Sequence, residues 1–143
     1  VELILKLKDK NIKLYDQLIE KIVQTANEPL TGSDANMKRL RMGNILLISE
    51  IYQKNHAIIN SSMIMQIMSF MTGQISPQSV DYLQMVCELL KKVIPSLRKD
   101  ASEQLDQLME KLRPIAYDQL YDKKCRFLLQ DVIELYNTEE DDE

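Results

Sequence analysis

The sequence predicts an all-α protein built of stacked antiparallel helical hairpins. Three observations carry that expectation. Apolar residues recur at intervals of three and four along most of the 143 residues, the spacing that gathers them on one face of a helix. Leu, Ile, Met, Lys, Glu and Gln dominate, with three glycines, four prolines and no tryptophan, so strand and tight-turn signals are scarce. Pairs of helical segments repeat at a spacing of about 40 residues, from Asp34 to Gly73 and from Ser76 to Leu120, which is the period of HEAT-like helical repeats.

The chain opens on "VELILKLKDK", where Val1, Ile4 and Leu5 already stand in helical spacing. With no initiating Met, this start suggests a domain cut from a longer protein. "NIKLYDQLIEKIVQTAN" places Ile12, Tyr15, Leu18, Ile19, Ile22 and Val23 on one face and Lys13, Asp16, Gln17 and Glu20 opposite, an amphipathic helix. "EPLTGSDAN" gathers Pro29, Gly32 and Ser33 into a loop whose Ser33 or Asp34 can cap the next helix.

That next helix, "KRLRMGNILLISEIYQ" from Lys38 to Gln53, raises a question. Gly43 costs a helix about 1 kcal/mol relative to alanine, and Asn44 falls on the apolar stripe Leu40, Asn44, Leu47, Ile48, Ile51. A close helix contact at Gly43 would offset its cost, and Asn44 would bond backbone at a loop between repeats, as buried amides generally must. On this reading Gly43→Leu overpacks the contact and destabilises.

A helix follows from about Ile58 to Thr72, with Ile64, Met68 and Met71 continuing the inward stripe and Gly73 as C-terminal cap. "SPQSVDYLQMVCELLKKVIP" restarts with Ser76 as N-cap and Pro77 in the first turn, turns Tyr82, Val86, Leu89 and Leu90 inward, and ends at Pro95. "SEQLDQLMEKLRPIAYDQL" spaces Leu105, Leu108, Met109 and Leu112 helically until Pro114 kinks or ends it. The last helix runs from Lys123 to Asn137, and the acidic 139–143 read as a solvated tail or linker.

Composition narrows function. A net charge of −4 and a pI near 5.1 disfavour a protein that works chiefly by neutralising phosphates, although Lys91, Lys92, Arg98 and Lys99 form a local basic cluster. Cys87 and Cys125 sit among apolar residues and read as buried free thiols of a reducing compartment. No stretch is apolar enough to span a bilayer and no signal peptide is visible, so a cytosolic or nuclear location is expected.

Catalytic constellations are absent from the sequence. His56 has no Asp, Cys or second His at ligand or triad spacing, and reads as a capping or solvent-facing residue between helices. Glu103, Asp106 and Glu110 occupy one face opposite leucines and read as helix-solvating. The methionines of "SSMIMQIMSFM" could mould to a partner but read as core filling. No metal, cofactor or enzymatic activity is expected.

Two stretches carry more. "RMGNILLISEIYQKN" with the following "AIINSSMIMQIM", and later "KKCRFLLQDVIELY", resemble the middle domain of eukaryotic translation initiation factor 4G, a HEAT-repeat module that binds the DEAD-box helicase initiation factor 4A. Gly43, Asn44, Ile45, Ile48, Glu50 and Ile51 fit the first motif. Arg126, Phe127, Leu129, Gln130, Asp131, Val132, Glu134 and Leu135 fit the second. The likeness extends from Met37 to Tyr136. Leu46, Leu47 and Ser49 depart from it, and the basic run before the first motif is reduced to Lys38, Arg39 and Arg41.

The resemblance implies a HEAT-like middle domain over 1–138, lacking its N-terminal repeats, that acts as a cytoplasmic translation initiation scaffold. It would position initiation factor 4A, touch mRNA weakly if at all, and reach other initiation factors through further regions. Arg39 and Glu50 around the first motif, and Arg126, Gln130 and Glu134 in a polar stripe of the last helix, are the expected partner-binding residues. A related adaptor in mRNA decay, splicing or deadenylation, and an RNA-binding module, are the alternatives.

Overall fold

The computed structural model describes residues 12–27, 35–78 and 80–141. They form α1 (Ile12–Ala26), α2 (Ala35–Lys54), α3 (Ser61–Gly73), α4 (Asp81–Asp100), α5 (Ser102–Leu112), a 3-10 turn (Arg113–Tyr117) and α6 (Lys123–Asp141), with no β-strand among the described residues. The opening segment, the loop at 28–34 and its capping residues Ser33 and Asp34 lie outside them.

Helix α4 is the hub. It packs against α2, α3, α5 and α6, and its buried side chains, Leu83, Val86, Leu89, Leu90, Val93 and Ile94 among them, point in several directions, as a helix surrounded by neighbours requires. Two rows of contacts result: α2, α4 and α6 lie side by side in one, and α1 touches α3, which touches α5, in the other. Ile64, Met68 and Met71 of α3 and Leu105, Leu108, Met109 and Leu112 of α5 are buried as their spacing predicts.

Several boundaries move for identifiable reasons. Helix α3 starts at Ser61 rather than Ile58 because the Asn60 side chain accepts from the Met63 N–H at 3.0 Å, an N-cap, while Ile58 and Ile59 are buried before the helix begins. Gly73 is the last residue of α3 and not a left-handed cap. Gln74, in right-handed backbone geometry, follows it and donates to the carbonyls of Met71 and Thr72.

Helix α4 begins at Asp81 instead of after Ser76. Asp81 favours the positive end of the helix dipole and meets the Lys38 ammonium at 2.9 Å. Pro95 does not end α4, which continues to Asp100. The ring lies on the exposed side, where water can reach the carbonyl left without its helical donor. Pro114 does end the α-helix before it, converting the chain to the 3-10 turn. Helix α6 passes Asn137 and reaches Asp141, so the expected tail at 139–143 is helical through 141.

The stripe on α2 is rotated from its predicted position. Ile45, Ile48, Ile51 and Tyr52 are fully buried together with Ser49 and nearly all of Arg41, whereas Leu40 is 68% exposed. The Ser49 hydroxyl donates to the Leu46 carbonyl at 2.6 Å, which satisfies it inside the core. Asn44 sits at the edge of this face and donates from Nδ2 to the Ile22 carbonyl of α1 at 3.0 Å. It therefore ties two helices together, bonding helix backbone rather than a loop.

Gly43 is not a close-contact residue. It is exposed, and a Cβ built there meets nothing within 4 Å. Gly43→Ala is therefore expected to raise the unfolding free energy by about 1 kcal/mol through helix propensity, and Gly43→Leu has room as well. A destabilised alanine variant in urea unfolding would contradict the open environment.

Candidate interaction surface

The residues expected to meet a partner lie on α2 and α6, the two helices that flank α4. On α2, Arg39 and Glu50 are exposed, on the same side as Gly43. Arg39 is braced by its own helix, Nη2 donating to Asn36 Oδ1 at 3.0 Å. It lines a hollow of about 330 Å³ with Lys38, Met42, Asp81, Gln84 and Met85. Arg41, counted from sequence among the basic surface residues, is buried instead.

The stripe on α6 divides. Gln130 is half-buried and donates from Nε2 to the Ala116 carbonyl at 2.9 Å, so it fastens the 3-10 turn to α6. Arg126 is half-buried with its Nε enclosed and without a hydrogen-bond partner. Of the three, only Glu134 is exposed. The buried face of α6 centres on Cys125, Leu129, Val132, Ile133 and Tyr136, which leaves Arg126 half-buried at its edge and Gln130 bonded to the turn.

Beside them, three apolar side chains that periodicity did not single out are exposed: Tyr117, Leu120 and Phe127, with Leu120 75% accessible. Isolated exposed apolar residues are ordinary; Tyr117 and Leu120 follow the proline-ended helix, where spacing rules stop applying, and Phe127 lies on the outward side of α6.

Two polar clusters brace the ends of the helices. At the first, the buried Tyr52 hydroxyl donates to Asp100 Oδ2 at 2.6 Å. The His56 ring stacks on Tyr52 with centroids 4.5 Å apart, and its Nδ1 lies 3.1 Å from the same carboxylate oxygen. Burial foremost, then the hydrogen bond to Asp100 and that residue's charge, push the Tyr52 phenol well above its ordinary pKa, so it acts as a donor and not as a proton shuttle. His56 thus has the Asp partner that spacing did not reveal. No sequence signal marked it, because the spacing ends this helix at Pro95 and Asp100 closes it only in the structure.

At the second cluster, Arg98 stacks over the Tyr136 ring at 4.6 Å and donates from Nη2 to the Tyr136 carbonyl, while the Tyr136 hydroxyl donates to Asp106. Arg98 is therefore withdrawn from the basic cluster read in the sequence, and Asp106 does more than solvate α5. Helices α4, α5 and α6 meet through these three side chains.

Chemistry at the thiols is muted. Cys87 and Cys125 are buried and free. Burial is the leading cause that pushes Cys87 up to about 12 and Cys125 up to about 11, the Asp122 hydrogen bond adding to the latter. Both stay protonated at neutral pH and are poor nucleophiles. Among the described residues no three His, Cys, Asp or Glu side chains gather as a metal site, and no helix is long and apolar enough to cross a membrane.

The described residues thus form an all-helical array with charged and apolar side chains exposed on α2 and α6. Over 99 residues, 68% of its length, the chain is 25% identical to eukaryotic translation initiation factor 4G of Triticum aestivum. The chain spans only 6% of that protein. No family model and no solved structure matches.

Proposed function

We propose that this chain is a non-enzymatic scaffold module of a translation initiation factor, a HEAT-like solenoid that holds the DEAD-box helicase initiation factor 4A during mRNA recruitment in the cytoplasm. The observation that carries the reading is the similarity to initiation factor 4G over two thirds of the chain. The two rows of helices support a solenoid of stacked hairpins. Exposed Arg39, Glu50 and Glu134 are the residues best placed for a partner, Arg126 contributes from the edge, and Gln130 acts indirectly by fixing the 3-10 turn. Such a scaffold works by binding one arrangement of the helicase lobes more tightly than others.

Titration calorimetry of the purified chain against initiation factor 4A tests this. Saturable binding is expected, and Glu50→Lys with Glu134→Lys should weaken it about tenfold or more while leaving the melting temperature nearly unchanged, because exposed charges act on association more than on folding. Absence of binding to initiation factor 4A, with saturable binding to a different DEAD-box helicase, would favour the adaptor of mRNA decay, splicing or deadenylation. Direct RNA binding is the weaker reading, since Arg98 is already engaged with Tyr136.

A further inference from the structure

One hollow uses no residue of α2 or α6. It is a trough of about 530 Å³ lined along one wall by Asp16, Ile19, Glu20, Val23 and Gln24 of α1, and along the other by Ala57, Ile58 and Met63. The α1 residues fall at i, i+3, i+4, i+7 and i+8, so the wall runs for about two helical turns, roughly 12 Å. Ile19 and Ile58 form a nearly buried floor and Val23 and Met63 are half-buried. Met63 adds an unbranched thioether that adapts to varied shapes.

Among the described residues the rim has one sign of charge. Asp16 and Glu20 are both exposed, one turn apart, and neither forms an ion pair among the described residues. Among the described residues no basic side chain lines the trough. An acidic rim over an apolar floor, in a chain of net charge −4, repels an acidic segment and attracts a basic one.

We infer that this trough is a docking site for a basic amphipathic helix of a partner protein, whose apolar ridge enters between α1 and Met63 while its lysines or arginines meet Asp16 and Glu20. This is the helix-in-groove mode, read by apolar anchors at i and i+3 or i+4. The trough's length matches two such anchors, and the spacing of the two carboxylates matches cations one turn apart on the incoming helix. The site is independent of the helicase reading, because it uses neither α2's exposed face nor α6.

The test uses two synthetic helices of about 18 residues, long enough to hold helical structure, that share one leucine pattern and differ only in carrying lysine or glutamate on the polar face. Binding of each to the full chain is measured by fluorescence anisotropy. The lysine helix is expected to bind at least tenfold more tightly than the glutamate helix. Asp16→Lys with Glu20→Lys should invert that preference, and Asp16→Asn with Glu20→Gln should abolish it, with circular dichroism melts confirming that both variants fold. Equal binding of the two helices, or a preference unchanged by both variants, overturns the site. A tenfold gain in affinity on changing Lys6, Lys8 and Lys10 to glutamine would also overturn it, by showing that the chain's own basic opening segment occupies the trough.

Discussion

Leu89→Ala lowers the unfolding free energy by about 2 to 5 kcal/mol, the range for truncating a buried leucine whose cavity collapses only in part. Leu89 is fully buried on α4, and the four helices around α4 hold their positions through other contacts, which limits the collapse. The melting temperature should fall by about 2 to 4 °C for each kcal/mol lost. Leu40→Ala provides the contrast. Leu40 is 68% exposed, and its truncation should change stability by less than about 0.5 kcal/mol. The two leucines are indistinguishable in composition, and equal losses in urea unfolding would contradict the packing described above.

Asp100→Ala is expected to cost about 1 to 3 kcal/mol, because it strips the acceptor from a phenol that is shut away from water. Tyr52 is fully buried and its hydroxyl has the Asp100 carboxylate as acceptor, and His56 loses the same oxygen. A double-mutant cycle isolates the bond. In the Tyr52→Phe background no buried hydroxyl is left unsatisfied, so Asp100→Ala should cost clearly less there, with a coupling of about 0.5 to 3 kcal/mol. Strict additivity would mean that the hydrogen bond contributes nothing to the fold.

The braces also explain how α4 can run from Asp81 to Asp100 despite Pro95 and an unfavourable charge at its end. Gln53 of α2 donates to the Lys92 carbonyl, in the turn where the proline disturbs helical pairing. Tyr52 and His56 engage the terminal aspartate. Side chains of α2 thus support the very stretch of α4 that local rules would stop. For the same reason the α2 surface is tied to α4, and a partner that bound Glu50 would contact a helix with little freedom to shift.

What the sequence determined by itself is the set of helices and most of their inward residues. In α5 the apolar positions form a single narrow stripe, so 3.6-residue periodicity names the buried face without help; in α3 Met63, Met65 and Phe70 widen the apolar arc, and periodicity names Ile64, Met68 and Met71 but not the equally buried Ile67. Proline at 114 ended a helix because its ring clashes with the preceding turn, whereas Pro95 is carried inside α4 only with support from α2. In α2 the apolar residues nearly encircle the helix, with Leu40, Leu47, Ile48 and Ile51 on one face, Ile45, Ile48 and Tyr52 on the next, and Leu46 beyond both. Periodicity cannot choose between such faces. Contact with α1 and α4 chose, burying Arg41 and Ser49, exposing Leu40, and leaving Gly43 with open space where a close approach had been expected.

The interaction surface divides in the same way. Exposure of Arg39, Glu50 and Glu134 was legible, since a charged residue opposite an apolar stripe faces water. That Gln130 would bond the Ala116 carbonyl, that Arg98 would stack on Tyr136, and that Asp100 would join Tyr52 to His56 depended on pairings separated by 14 to 48 residues. Local spacing holds no record of them. The trough between α1 and Met63 is of the same kind, because its two walls come from segments brought together only when the helices pack, and packing alone decides which apolar side chains are left partly uncovered.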